Sequence, residues 1–334
     1  MSKKLLFSII GLLPEPTALK LKKRLVAFRN STGSISERIQ SSKNAFSPRY
    51  DRDFQWAEDS YIPGGTLLFS HTGSLGDILY SLHFCRELTC RLGAECFDLH
   101  IRTNVHDDGM KGFKHPYGSV RMSRNAAEFM KPLLEEQPYI RCVTISDELP
   151  EHAIDLDRFR ELKLNLSSGD IRNWYYQLTS LHLPREFWKP VLSVKTDTKY
   201  QDKIFFSATS RYQNLYIDYT ALEKYRELLV FAGTPEEYED FSRNYFETTY
   251  VKTDTLLELA GYIAGARGFI GNQGGLFSLA ECLKVPRILI SPEYTVFKGI
   301  PGPGSHNNNP QGSWCEDAAT TCKMIAALEE MLKI

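Results

Sequence analysis

From residue 66 onward the chain alternates β-rich runs with helical runs, and it does so in two separate series. In the first, residues 66–71 read as a strand, 77–91 as a helix, 95–102 as a strand, 124–137 as a helix and 138–146 as a strand. A mixed stretch carrying Trp174, Tyr175, Tyr176 and Trp188 follows. The second series starts near Lys199, where "KIFFSAT" and "LLVFAG" read as strands, "PEEYEDFSRNYF" as a helix, "TTYVKT" as a strand and "TLLELAGYIAGA" as a helix. "GFIGN", "GLFSLAECLKV" and "RILISP" then give strand, helix, strand. Helices placed between successive strands demand parallel sheets covered on both faces. The expected class is therefore α/β, with two Rossmann-like, doubly wound domains separated near residues 190 to 200 and facing a central cleft. A length of 334 residues suits two domains. The expected divisions are 1–62, an N-terminal arm; 63–195 and 196–315, the two domains; and 316–334, a closing helix.

Charge is distributed unevenly. The formal net charge is −1, so the molecule as a whole is not an electrostatic binder of nucleic acid. Residues 1–49 nevertheless hold ten Lys/Arg against Glu15 and Glu37, a balance of +8 that leaves −9 on the remainder. Within that arm Ala18, Leu21, Leu25 and Phe28 fall on one helical face and the basic residues mostly elsewhere. Such a helix can lie on an anionic membrane surface, or pack on its own domain with a solvated basic face. The opening "KKLLFSIIGLL" has the look of a signal peptide, but Pro14-Glu15-Pro16 follows in place of small residues. The seven cysteines are odd in number, form no C-x-x-C pair and mostly occupy apolar stretches, which suits a reducing cytoplasm. No apolar run approaches the ~20 residues of a spanning helix.

In open parallel sheets ligands gather beyond the carboxyl ends of the strands, where loops feed helix N-termini. Two turns there draw notice. "HTGSLGDILYSLHFCREL" places Asp77 directly after Gly76 at the start of a helix; the carboxylate is either a reacting group or a helix cap. "GFIGNQGGLFSLAECLKVPRILI" brings Gly271, Gly274 and Gly275 to a strand-to-helix turn, where free amides and the helix dipole suit a phosphate, although an ordinary Gly-rich turn reads the same way. It is neither G-x-G-x-x-G nor G-x-x-x-x-G-K-[ST], which disfavours a nicotinamide enzyme or a P-loop NTPase.

Taken in order, three segments resemble the family-9 glycosyltransferases, the heptosyltransferase group. "HTGSLGDILYSLHFCREL" is similar to the family's N-terminal Gly-Asp turn, "SATSRYQNLYIDY" to the segment opening its C-terminal domain, and "LLELAGYIAGARGFIGNQGGLFSLAECLKVPRILI" to its donor-site pattern; "LLVFAGTPEEYEDF" matches its Gly-x-x-x-Glu turn in kind. The resemblance covers roughly residues 64 to 295. It implies the GT-B fold, with an acceptor domain at 63–195 and a nucleotide-sugar donor domain at 196–315, and sugar transfer with inversion from a nucleotide-diphosphate donor. It implies Asp77 as catalytic base, with Gly76 beside the acceptor. Thr209, Ser210, Arg211, Gly233, Asn272, Gln273, Gly274, Gly275 and Ser278 fall at its donor-binding positions. Neither a cofactor nor an obligatory metal is implied.

The resemblance implies action on a cell-surface glycan or a lipid-linked acceptor; cysteine usage adds a cytoplasmic location, the basic arm adds peripheral membrane contact through residues 1–49 as one of its two readings, and the net charge leaves no nucleic-acid partner expected. "NVHDDGMKGFKHPYGSVRMSR" offers Lys111, Lys114, His115, Arg121 and Arg124 to a phosphorylated or acidic acceptor, with solvated loop charge as the alternative. His100, His106, Asp107, Asp108 and His115 have no diagnostic metal-ligand spacing, and the triplets Asp51-Arg52-Asp53 and Asp155-Leu156-Asp157 are of a kind that arises by chance. Residues 298–314 are too rich in Gly, Pro and Asn for regular structure and read either as a mobile loop beside the cleft or as a plain disordered insertion. Three departures from the family pattern stand at the donor turn: Gln273 in place of Asp, Gly274 in place of Ser/Thr, and Ser278 in place of His. The family's phosphate-side lysine falls at Gln213 or Asn214. These changes remove charge and leave open a second reading, a catalytically silent relative that binds nucleotide-sugar or glycan as a partner subunit.

Overall fold

The computed structural model describes residues 65–107, 119–161, 171–179, 181–209, 214, 216–290, 315–318 and 320–333. The basic arm, the loop with Lys111, Lys114 and His115, the pair Ser210 and Arg211, and the Gly/Pro/Asn-rich stretch at 298–314 lie outside the described residues.

The first series builds a four-stranded sheet. Strands β1 (Leu67–His71), β2 (Phe97–Arg102), β3 (Ile140–Ser146) and β4 (Ile154–Asp155) pair in the order β3-β2-β1-β4, all parallel. Helix α1 (Leu75–Arg91) joins β1 to β2 and α2 (Arg124–Glu135) precedes β3. Helix α1 is buried on nearly every side, with Ile78, Leu79, Leu82, Phe84, Cys85 and Leu88 wholly inside, as expected of a helix with apolar residues around most of its girth. It starts at Ser74, whose capping box with Asp77 satisfies amides that the first turn leaves unpaired. A short helix α3 (Ile171–Tyr175) closes the lobe.

The second series builds a six-stranded parallel sheet from β5 (Ile204–Ser207), β6 (Leu229–Phe231), β7 (Thr249–Tyr250), β8 (Gly268–Asn272), β9 (Arg287–Ile290) and β10 (Cys315–Ala318), in the order β10-β9-β8-β5-β6-β7. Helices α4 (Pro235–Asn244), α5 (Leu256–Gly265), α6 (Gly275–Leu283) and α7 (Thr321–Lys333) complete it. In this lobe the chain winds from β5 out to β7, returns to the far side of β5 with β8, and winds outward again, which is the doubly wound Rossmann order.

Most boundaries expected from sequence agree with the structure to within a few residues. One expectation needs correction: the closing helix does not begin at 316. Residues Cys315–Ala318 extend the sheet alongside β9, and the helix starts only after Thr320, whose carbonyl takes the Met324 amide. The edge of β9 offers unpaired backbone groups, and pairing them there prevails over local helical propensity. Sequence reading also gave no sign of β4 or of the 3-10 segments at Leu156–Arg160 and Tyr219–Leu228.

One apolar core runs through both lobes, joining Phe69, Phe84 and Tyr175 to Phe269, Phe277 and Cys282, and a second, around Phe206, Phe231, Phe241 and Leu328, lies within the six-stranded lobe. Helices α1 and α6 lie side by side and parallel, because Leu75 meets Gly275, Gly76 meets Ser278, and the Leu79 carbonyl accepts from the Cys282 thiol at 3.6 Å. Helix α2 packs on α5. Buried charge also crosses the junction: Arg172 Nη1 of α3 donates to Glu281 Oε1 of α6 at 3.0 Å, and Lys284 and Arg287 pair with the same carboxylate. Among the described residues no helix is long and apolar enough to cross a membrane.

Candidate functional site

Each sheet has one place where strand order reverses. In the first lobe it lies between β1 and β4, and in the second between β5 and β8. Loops on the two sides of such a reversal splay apart and leave a crevice beyond the strand ends. The first crevice is flanked by His71, Thr72 and Asp157, the second by Ser207, Thr209 and Asn272. The parallel pairing of α1 with α6 brings the two strand-to-helix turns together: a β-carbon on Gly76 would stand 2.7 Å from Ser278 Oγ and 3.6 Å from the Gly275 Cα. Two helix N-termini, each with unpaired amides, thus open at the same end of the junction.

Asp77 stands at the first of these turns. Its Oδ2 accepts the Ser74 amide at 3.1 Å and lies 3.5 Å from Arg160 Nη2, and its side chain is 25% exposed. The capping role left open by sequence is therefore one that Oδ2 performs. No described residue donates a hydrogen bond to Oδ1. Gly73 permits the tight geometry, since a β-carbon there would collide with Asp77 Cβ at 2.5 Å.

Beneath Asp77 lies a chain of polar groups that sequence reading did not assemble. Tyr175 Oη donates its one hydrogen to the Asp77 carbonyl at 3.0 Å, so it accepts from His71 Nε2 at 2.8 Å. His71 Nδ1 is then free to accept the Gly73 amide at 2.9 Å in the neutral ring, or to donate to Asp157 Oδ2 at 3.1 Å in the charged one. Asp157 Oδ2 also takes the Thr72 amide at 2.5 Å, while Oδ1 takes Arg160 Nε at 3.0 Å and lies 3.6 Å from Arg121 Nη1. Burial alone would raise the Asp157 carboxyl, but the His71 ring, Arg160 and the Thr72 amide prevail and hold it well below the usual carboxylate range. Burial pushes the Tyr175 hydroxyl well up, and the Asp77 carboxylate adds to the effect. The available signal was "DRFR" after a two-residue strand, where Asp157 and Arg160 are three apart on one turn.

At the second turn Asn272 is 1% exposed and faces inward. Its Nδ2 donates to the Thr209 carbonyl at 2.6 Å and to Thr209 Oγ1 at 3.0 Å, and its Oδ1 accepts the Thr209 amide at 3.0 Å. Asn272 thus braces the turn that carries Thr209. Ser278 is buried between α1 and α6, donating to the Gly274 carbonyl at 3.0 Å and bonded to Tyr80. Gly274 forms the N-cap of α6 in extended backbone, and Gln273 and Gly275 flank it, half-buried.

Gly233 lies away from this junction, in the β6–α4 turn, where its carbonyl accepts from Tyr250 Oη at 3.2 Å beside Glu237. Arg124 begins α2, is 60% exposed and pairs loosely with Glu128 at 3.9 Å. Arg121 is held closer in, donating to Asp107 Oδ2 at 3.0 Å and Thr72 Oγ1 at 3.3 Å. Of the triplet Asp155-Leu156-Asp157, the first carboxylate caps the Asp157 amide and the second is committed to His71 and arginine. Among the described residues no group of three or more His, Cys, Asp or Glu is placed to hold a metal ion.

Compared by sequence, the chain matches no protein-family model and no curated protein. Compared by structure, it resembles the glycosyl transferase family 9 protein from Veillonella parvula DSM 2008 at a TM-score of 0.53 and 11% identity, over 82% of this chain and 99% of that one. It also overlaps E. coli ADP-heptose lps heptosyltransferase II (TM-score 0.47, 13% identity, 80% and 99% covered) and E. coli heptosyltransferase WaaC with ADP (0.41, 12%, 80% and 98%). The first of these carries the assignment; the other two add no weight to it. The two doubly wound sheets and the glycosyl transferase family 9 neighbour together give this chain the GT-B fold that its three ordered motifs imply.

Proposed function

We propose that the protein is an inverting, metal-independent glycosyltransferase that moves a sugar from a nucleotide-diphosphate donor to a cell-surface glycan or lipid-linked acceptor. The observation that carries this reading is the junction of the two turns: Leu75 and Gly76, directly before Asp77 in the first turn of α1, pack against Gly275 and Ser278 of the glycine turn that opens α6. An acceptor hydroxyl is a poor nucleophile near neutral pH, so a carboxylate must take its proton as the bond to the anomeric carbon forms. Asp77 Oδ1 serves that role. The departing nucleoside diphosphate gains negative charge in the transition state, and fixed donors aimed at it lower the barrier. The amides of Gly274 and Gly275, the α6 dipole and the Thr209–Arg211 segment supply them from the opposite lobe. The acceptor enters by Gly76 and the basic loop carrying Lys111, Lys114 and His115, with Arg124 at its margin. The body works in the cytoplasm, and residues 1–49 hold it against the inner membrane face.

The test is Asp77→Asn in purified protein with a donor that the wild type accepts. Transfer should fall by about 100-fold or more; equal rates in the two proteins would remove Asp77 from the mechanism.

A second reading has its own support. The side chains of Asn272 and Ser278 are turned inward, so the donor turn offers a ligand backbone in place of charge. A catalytically silent protein that binds nucleotide-sugar or glycan as a partner subunit would look the same. A thermal-shift screen of nucleoside diphosphates and their sugars, followed by a turnover assay, separates the two: stabilisation without transfer or hydrolysis selects the silent form.

A further inference from the structure

Arg160 stands between two carboxylates. Its Nε donates to Asp157 Oδ1 at 3.0 Å, its Nη2 lies 3.5 Å from Asp77 Oδ2, and its guanidinium carbon rests 4.6 Å from the Phe159 ring centroid. Asp157 is itself fixed by the Thr72 amide and His71, so the fork is anchored on a group that cannot follow it. Burial works against the charge on Arg160, but the carboxylates of Asp77 and Asp157 outweigh that and raise its affinity for the proton. On Asp77 the two oxygens are thereby made unequal. Oδ2 is engaged by the Ser74 amide and Arg160, whereas Oδ1 has no partner among the described residues.

The terminal torsion of an aspartate is broad and nearly two-fold. A cap bond alone would let the carboxylate rock about Oδ2, whereas a second contact from a rigid fork holds the plane of the group. We propose that Arg160 is a positioning residue for Asp77, clamping Oδ2 so that Oδ1 keeps its aim at the acceptor hydroxyl. This rests on the reading of Asp77 as the base. Arginine suits the task because one planar fork reaches both carboxylates, while the single ammonium of lysine reaches one at a time.

Steady-state kinetics on the full chain, with a nucleotide-diphosphate sugar that the wild type turns over, test it with Arg160→Gln, Arg160→Lys and Asp77→Asn. In Arg160→Gln kcat should fall about 10- to 100-fold, the scale of a misaimed reacting group. The donor KM should stay within about two-fold, and Arg160→Lys should recover part of the loss, a pattern that damaged packing would not give. An inactive Asp77→Asn beside a fully active Arg160→Gln overturns the positioning role alone. Full activity in Asp77→Asn, or a wild type that turns over no donor, overturns the base and the positioning role together. Equal losses in kcat and gains in KM in both Arg160 variants, with lowered melting temperatures, make Arg160 structural and also overturn it.

Discussion

Gly76 and Gly275, one on each lobe, stand so close that a β-carbon on the first would lie 3.6 Å from the backbone of the second, and a β-carbon on the second would lie 2.8 Å from Leu75 Cδ2. This contact seats two helix starts side by side and so decides whether the candidate base and the candidate phosphate turn share a ligand.

Gly76→Ala should therefore loosen the junction. The added carbon would stand 2.7 Å from Ser278 Oγ, a side chain with little room to yield. Overpacking of this kind costs about 1–3 kcal/mol, and for a chain of this size that lowers the melting temperature by roughly 1–2 °C per kcal/mol. Ser278→Gly in the same protein should restore most of the loss, because the obstructing hydroxyl is gone. Melting curves of the single and double variants check it, and equal melting of Gly76→Ala and wild type would count against the packing described.

Asp157→Asn removes the carboxylate on which Arg160, Arg121 and His71 converge. Breaking a buried pair from one side typically costs about 3–5 kcal/mol. Because its neighbours hold the folded carboxyl below its ordinary value, the stabilisation is complete above the unfolded value of about 3.9 and is lost as pH falls further. Urea midpoints for the two proteins should differ throughout the neutral range and converge only below about pH 4. A gap that closes already between pH 7 and 5 would assign the effect to another group.

His83 acts in the same direction but in a higher pH window. Burial pushes its imidazole well below the ordinary value, and the Arg172 and Lys284 charges press the same way. A ring kept neutral in the fold takes up a proton on unfolding, so its contribution is complete above about pH 6.5 and declines at lower pH, by roughly 1.4 kcal/mol per unit. His100, lowered by burial and Arg102, adds in the same direction. The urea midpoint should drop between pH 7.5 and 5.5, and His83→Leu should flatten part of that slope; an unchanged slope would show that His83 is not its source.

Asn272→Ala severs three bonds to Thr209. At about 1 kcal/mol for each ordinary hydrogen bond, a loss of roughly 2–3 kcal/mol is expected. Calorimetry should also find weaker binding of nucleoside diphosphates, because the brace on the donor-side turn is gone. Unchanged affinity would detach Thr209 from the ligand.

The alternation of strand and helix was legible because buried parallel strands and amphipathic helices carry different periods, and strand-end glycines punctuate them. "GFIGN" matches β8 residue for residue. Asp77 could be placed at a helix start from Ser74 and the glycines, yet its dual engagement with its own cap and Arg160 could not, because Arg160 is 83 positions away. The strand Ile154–Asp155 escaped notice because two residues carry no period. The cluster of His71, Asp157 and Tyr175 escaped for a related reason: pairing of β1 with β4 assembles it, and that register is a property of the sheet. The inward turn of Asn272 was likewise hidden, since a polar residue at a strand end looks the same whether it faces a ligand or its neighbour.

Arg172 and Glu281 come from opposite lobes and are 4% and 1% exposed. Cut the polypeptide in the stretch that links them, and the buried bond between them would be lost together with the apolar contacts around it, leaving a greasy face on each fragment. A shortened gene product holding one lobe would present that uncovered surface to the quality-control machinery of its host, however complete its own sheet.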